Sequence, residues 1–127
     1  MALHIPQNSR PTPRQPTQQQ PRQLLNLQTL LAPRPHSTVL LRVSGNSMRD
    51  AGIAPGDLVV VDRSLPPRPG LIVVARLTDG FTLKRLVRTA SGLALQPANP
   101  AFPMLPLQPD GELQLWGVAL HVIRSLG

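Results

Sequence analysis

The 127-residue chain contains no cysteine. That absence excludes a disulfide framework and any thiolate metal site, and it fits a reducing compartment. Tyrosine is absent too, and Phe81, Phe102 and Trp116 are the only aromatics. Leucine and valine must therefore fill most of any core, within a hydrophobic fraction of 41%. Acidic side chains are scarce, six against thirteen basic ones, for a net charge of +7. Such a balance favours nucleic acid or acidic partner surfaces, although a solvated basic surface produces it equally well. No apolar run approaches the ~20 residues of a membrane span. The opening MALHIPQNSRPTPRQ has no apolar stretch of signal-peptide length. The reading is a soluble, cytoplasmic protein of one domain plus a tail.

Histidine is also sparse. His4, His36 and His121 are scattered, without metal-ligand spacing and without an evident carboxylate partner for a Ser-His-Asp triad. His121 stands between apolar residues of a strand, where a satisfied core or edge histidine is the plain reading. There is no Gly-rich phosphate loop and no G-x-S-x-G elbow. An S-x-x-K motif is missing because position 50 is Asp. Nothing calls for a metal or other cofactor. Lysine is the rarest cation of all: every basic residue is arginine except Lys84.

What is present divides the chain in two. Residues 1–23 hold five prolines, six glutamines and three arginines. Proline removes backbone donors and fixes φ, so no helix or interior strand runs through. The segment cannot bury enough apolar area to offset the entropy of ordering it, which predicts an extended, disordered arm. From residue 24 the pattern changes. LLNLQTLL (24–31) reads as a helical turn or a docking strand. Short β-rich runs follow, separated by turn residues: STVLLRV (37–43), DLVVVD (57–62), LIVVARL (71–77), FTLKRLVR (81–88), GLALQ (92–96) and ELQLWGVALHVIRS (112–125). Thr78-Asp79-Gly80 signals a hairpin between two of them. Continuous Val/Leu runs predict strands buried on both faces, and no segment sustains helical periodicity. The fold class is mainly β, compact over 24–127, with one helical turn near Ser47.

Two residues draw the chemistry together. A lysine can act as a general base only when neutral, and burial is what lowers its pKa toward that state. Arginine cannot take the role. In Phe81-Thr82-Leu83-Lys84-Arg85-Leu86, alternation puts Lys84 on one face with Thr82 and Leu86, and sends Arg85 to the other. Ser47 lies in Gly45-Asn46-Ser47-Met48, where Gly45 permits a sharp turn and a close backbone approach. The amides of Ser47 and Met48 could then face a developing oxyanion. Each residue also has an ordinary reading: an exposed edge-strand cation, and a turn serine or helix cap.

Taken together, GNSM, APGDLVVVD and the thirty-seven positions from Ser47 to Lys84 in FTLKRL resemble the LexA/UmuD family of Ser-Lys self-cleaving peptidases. NPAFPM and LWGVALHVIRS extend the likeness from about Leu27 to the C-terminus. The resemblance implies a LexA-like peptidase domain over 24–127, with Ser47 as nucleophile, Lys84 as general base and the Met48 amide as oxyanion donor. Asn46 stands where the family often has Asp. No helix-turn-helix precedes the domain, which points away from a repressor and toward the branch that serves an SOS-induced translesion polymerase. The implied partners are a second copy of the chain, a UmuC-type Y-family DNA polymerase and a RecA filament on single-stranded DNA, with DNA contact mainly indirect.

The arm departs from the family. Members of the polymerase-serving branch are cut at a Cys-Gly or Ala-Gly bond upstream of a Phe-Pro-Ser-Pro-like stretch. Here Arg10 to Pro13 (RPTP) resembles that stretch, and the preceding pair is Asn8-Ser9. On this resemblance the chain is expected to begin near where a processed form would begin. Other readings therefore stand beside the self-cleaving subunit: a non-cleaving subunit that keeps the fold for dimerisation and polymerase binding, a peptidase acting in trans, and a basic-arm nucleic-acid binder. The last is weakened by the arm's lack of aromatics on which bases could stack.

Overall fold

A computed structural model describes residues 25–127. The arm expected over 1–23, with the Asn8-Ser9 bond, lies outside the described residues. The chain divides into two units, one ending at Pro33 and the other spanning Arg34–Gly127. In the first, the described part of the apolar LLNLQTLL segment contains a short helix, α1 (Leu27–Leu31). Asn26 caps it, its side chain accepting the Thr29 amide at 3.1 Å.

The second unit is a seven-stranded antiparallel sheet. Its strands are β1 (Thr38–Arg42), β2 (Leu58–Asp62), β3 (Ile72–Leu77), β4 (Gly80–Thr89), β5 (Gly92–Gln96), β6 (Leu105–Pro106) and β7 (Gln114–Ile123). They lie in the order β1-β2-β7-β3-β4-β5-β6. Six of these match the runs expected from sequence, and the hairpin at Thr78-Asp79 joins β3 to β4 with Leu77 opposite Gly80. The two-residue β6 was not anticipated. It pairs with Ala94 and Leu95, at a sheet edge where proline is tolerated.

The last strand fills the centre of the sheet. β7 pairs with β2 on one side and β3 on the other. It carries a register shift against each, between Val60 and Val61 of β2 and between Val74 and Ala75 of β3. Such bulges bend a strand and increase its twist. Gly117 is required here: a Cβ would stand 2.6 Å from Val61 Cγ1.

β3 is buried on both faces, as its Val/Ile run predicts. Val73 and Ala75 pack with Leu86, Leu95 and Val118. Val74 packs with Val59 and Val61, backed by Leu83, Trp116 and Ala119. Each buried valine or leucine contributes roughly 1.5–3 kcal/mol. Trp116 is braced by Phe81, with ring centres 4.7 Å apart, and by the Arg63 guanidinium 4.2 Å above its ring.

A buried carboxylate closes each end of β2. Asp62 accepts from Ser64 N and Oγ, from Ser37 Oγ and from Arg34 Nε. Burial pushes its pKa up, but these donors outweigh it and hold the carboxyl well below the usual range. Asp57 receives a two-pronged contact from Arg124, at 2.7 and 2.6 Å, and the Ala54 amide at 2.8 Å. The Arg124 hydrogen bonds, then the amide, lower its pKa to about 2.

Candidate active site

Ser47 lies in the turn that leaves β1. Val43 N donates to Asp57 O and Gly56 N to Val43 O, both at 2.8 Å, so the strand's end is tied to the loop before β2. The chain then turns through Gly45, at φ 79°, a conformation that suits glycine. A 3-10 turn follows at Arg49–Ala51, the helical turn expected near Ser47. Met48 is its anchor. Its side chain is buried, and its carbonyl accepts from Ala51 N and Ile53 N.

Lys84 comes to this turn from the middle of β4, where it pairs with Val73. It is only 7% exposed. Its Nζ donates to Ser47 Oγ at 3.0 Å and to Thr82 Oγ1 at 2.6 Å. Among the described residues it forms no ion pair. Burial without a counter-charge lowers its pKa below the ordinary lysine value. Arg85 turns the other way and donates to Gly70 O at 2.6 Å. The alternation read along this strand thus separates a buried amine from an outward guanidinium.

The amides of Ser47 and Met48 meet no hydrogen-bond acceptor among the described residues. Beside them opens a cleft of about 310 Å³, lined by the apolar Leu41, Val43, Val59, Val74, Phe81 and Leu83 and also by Gly45, Ser47 and Thr82. One wall offers a strand edge. β4 pairs with β3 along Gly80–Arg85, but β5 joins β4 only from Arg85 onward. Residues 81–84 therefore have an open side among the described residues. Such an edge can pair with an extended peptide.

The structure brings Ser47, Met48 and Lys84 together. His121 lies in β7 opposite Val60, and His36 in the 3-10 turn Pro35–Ser37. Neither is hydrogen-bonded to Ser47. No group of three metal-ligating side chains occurs among the described residues.

Residues 9–120 match the family model described as Peptidase S24-like. The chain belongs to this family. Among the S24-like relatives, the LexA repressor of Verminephrobacter eiseniae is 49% identical over 86 residues, 68% of this chain and 38% of that protein. The LexA repressor of Bordetella avium is 51% identical over the same number of residues, covering 40% of its length. Protein MucA of Salmonella typhimurium is 44% identical over 107 residues, 84% of this chain and 73% of MucA. The chain thus spans about two-fifths of the LexA repressors it matches and most of MucA.

Sequence reasoning missed three contributors. Alternation puts Thr82 on the face of Lys84 without pointing to a role, and it makes the shorter contact to Nζ. Arg124 reaches back to Gly52 O at 2.9 Å as well as to Asp57, tying the C-terminal end of β7 to the loop after the serine turn. Asn99 is 5% exposed and donates from Nδ2 to Asn46 O at 2.9 Å. Its Asn-Pro dipeptide signals a turn, but nothing in the local pattern says which carbonyl its amide will meet.

Proposed function

We propose that the chain is a UmuD-like accessory subunit of an SOS-induced error-prone translesion DNA polymerase, carrying a Ser-Lys self-cleaving centre. The contact that carries this reading is the 3.0 Å approach of the buried Lys84 amine to Ser47 Oγ. In the neutral amine the Nζ lone pair accepts the Ser47 proton as Oγ attacks the scissile carbonyl carbon. The oxygen that becomes negative is met by the Ser47 and Met48 amides. Lys84 then passes its proton to the departing amine as the C–N bond breaks. A water molecule, deprotonated by the same lysine, hydrolyses the acyl-serine. The scissile segment lies as an extended strand along the open side of residues 81–84.

The longer alignment with MucA, 107 residues against 86 for the LexA repressors, favours the polymerase-subunit branch. RecA filaments on single-stranded DNA are the activating partner in this reading, a UmuC-type polymerase the client, and a second copy of the chain the dimer mate.

One observation favours a second reading, a subunit that keeps the fold without being cut. Residues 1–46 contain no Cys-Gly or Ala-Gly bond. Mass spectrometry of the purified protein, with and without a RecA–single-stranded DNA filament, separates the two. A filament-dependent truncated species that is lost in Ser47→Ala supports self-cleavage. An unchanged mass in both arms supports the uncut subunit.

A further inference from the structure

The loop over residues 97–101 holds the serine turn from behind at two successive peptide groups. Asn99 Nδ2 donates to Asn46 O at 2.9 Å, and Ala98 N donates to Ser47 O at 2.8 Å. Asp50 N returns a bond to Ala98 O at 2.7 Å, and Ala101 N donates to Asn99 Oδ1 at 3.0 Å, which sets the orientation of the side-chain amide. A trans peptide is planar, and its C=O and N–H point in opposite directions. The carbonyl of Asn46 shares its plane with the amide of Ser47, and the carbonyl of Ser47 shares its plane with the amide of Met48. A donor that captures each carbonyl therefore aims the paired N–H the opposite way. Neither of those two amides meets an acceptor among the described residues.

We propose that Asn99 is a positioning residue that aims the oxyanion-binding amides through the carbonyl of Asn46. The inference rests on the Ser-Lys reading and adds to it a side chain that touches neither the nucleophile nor the base. Preorganised donors stabilise a developing charge because they need no reorientation as it forms, and losing one such donor outright slows acyl transfer by roughly 10²–10³-fold. The Asn46 carbonyl keeps a weaker local bond from Arg49 N at 3.2 Å. Loss of the Asn99 donor should therefore cost less than a whole donor, about tenfold to a hundredfold.

The test uses the full chain with Asn99→Asp, which keeps the acceptor for Ala101 N and deletes the donor. Asn99→Ala serves as a second variant that introduces no charge. Two quantities are measured against pH: the rate of self-cleavage at alkaline pH, and the affinity for a peptidyl boronic acid with an alanine-like residue, whose boron takes up the serine oxygen as a tetrahedral anion. The boronate affinity, and the rate of whatever self-cleavage the parent shows, should fall about tenfold to a hundredfold in each variant, and in Asn99→Ala, which adds no charge, the pH midpoint of boronate uptake should stay where it is in the parent because Lys84 is untouched. Variants within twofold of the parent in both readouts overturn the inference. So does a loss in Asn99→Ala accompanied by a displaced pH midpoint, which would mean that Asn99 acts through the lysine or by general loosening. A parent chain that neither cleaves itself nor takes up the boronate overturns the Ser-Lys reading itself, and this inference with it.

Discussion

Lys84→Met removes the charge of the buried lysine while keeping an unbranched apolar stem of similar length. The native amine is 7% exposed and has two hydroxyl partners and no carboxylate. Its folded pKa lies below the usual 10.5 because burial disfavours the ammonium. The sign of the linkage follows. Between the folded pKa and 10.5 the unfolded chain binds the extra proton, so stability rises with pH across that window. Below the window the burial penalty acts in full, and above 10.5 it has vanished. One proton bounds the slope at about 1.4 kcal/mol per pH unit. Methionine carries no such penalty, and the Ser47 and Thr82 hydroxyls it leaves belong to residues that line the cleft, where water can satisfy them. Lys84→Met should therefore be more stable than the parent at neutral pH, and the advantage should shrink as pH rises toward 10.5. Urea unfolding of both proteins from pH 6 to 10.5 measures it. The difference isolates one titration, because Lys84 is the sole lysine and all other groups cancel. A Lys84→Met protein that is less stable at pH 7, by an amount constant with pH, would show that the lysine is an ordinary solvated cation and would refute the argument.

Three other outcomes are expected. Ser47→Ala and Lys84→Arg should each abolish any self-cleavage with the fold intact by circular dichroism; the parental reaction should be slow or absent, the full chain should be competent as made, and any cut should fall between Asn8 and Ser9. Rapid release of an eight-residue N-terminal peptide at alkaline pH, lost in Ser47→Ala, would overturn the expectation of slow cleavage. The outer side of β1 is an uncovered sheet edge among the described residues; sedimentation at micromolar concentration should find a homodimer, and a UmuC-type polymerase should co-purify with it, whereas a monomer that captures no polymerase removes the partner assignment. Asp57, with its pKa lowered from 3.8 to about 2 by Arg124 and the Ala54 amide, contributes stability that is present above pH 4 and lost as pH falls toward 2; acid unfolding of Arg124→Gln should begin at higher pH than in the parent, and coincident acid curves would show that the Arg124 contact contributes nothing.

Much of the fold was legible because strand signals are local. Six runs of β-branched and leucine residues, bounded by proline, glycine and aspartate turns, match six of the seven strands. LLNLQTLL was ambiguous because eight apolar-rich residues fit either period; the Asn26 cap on the Thr29 amide goes with the helix. The short β6 escaped because LPL is too brief to show alternation, and it is a strand only through its bonds to β5. The alternation in FTLKRL also placed Lys84 and Arg85 on opposite faces correctly, since the pleat sends neighbours to opposite sides whatever the rest of the chain does.

By itself the sequence determined which side chains were available for the chemistry. It held one lysine, no cysteine, and a serine in a glycine turn, at a spacing that resembles a known peptidase family. Tertiary structure alone decided what surrounds them. β7 threads between β2 and β3, and its two bulges break the period on which any strand-by-strand reading depends. Asn99 meets a carbonyl 53 positions away, and Arg124 a carboxylate 67 positions away. The physical reason is common to both. Propensity and alternation act between residues a few positions apart, whereas these contacts exist only after the sheet has closed and set distant backbone groups face to face.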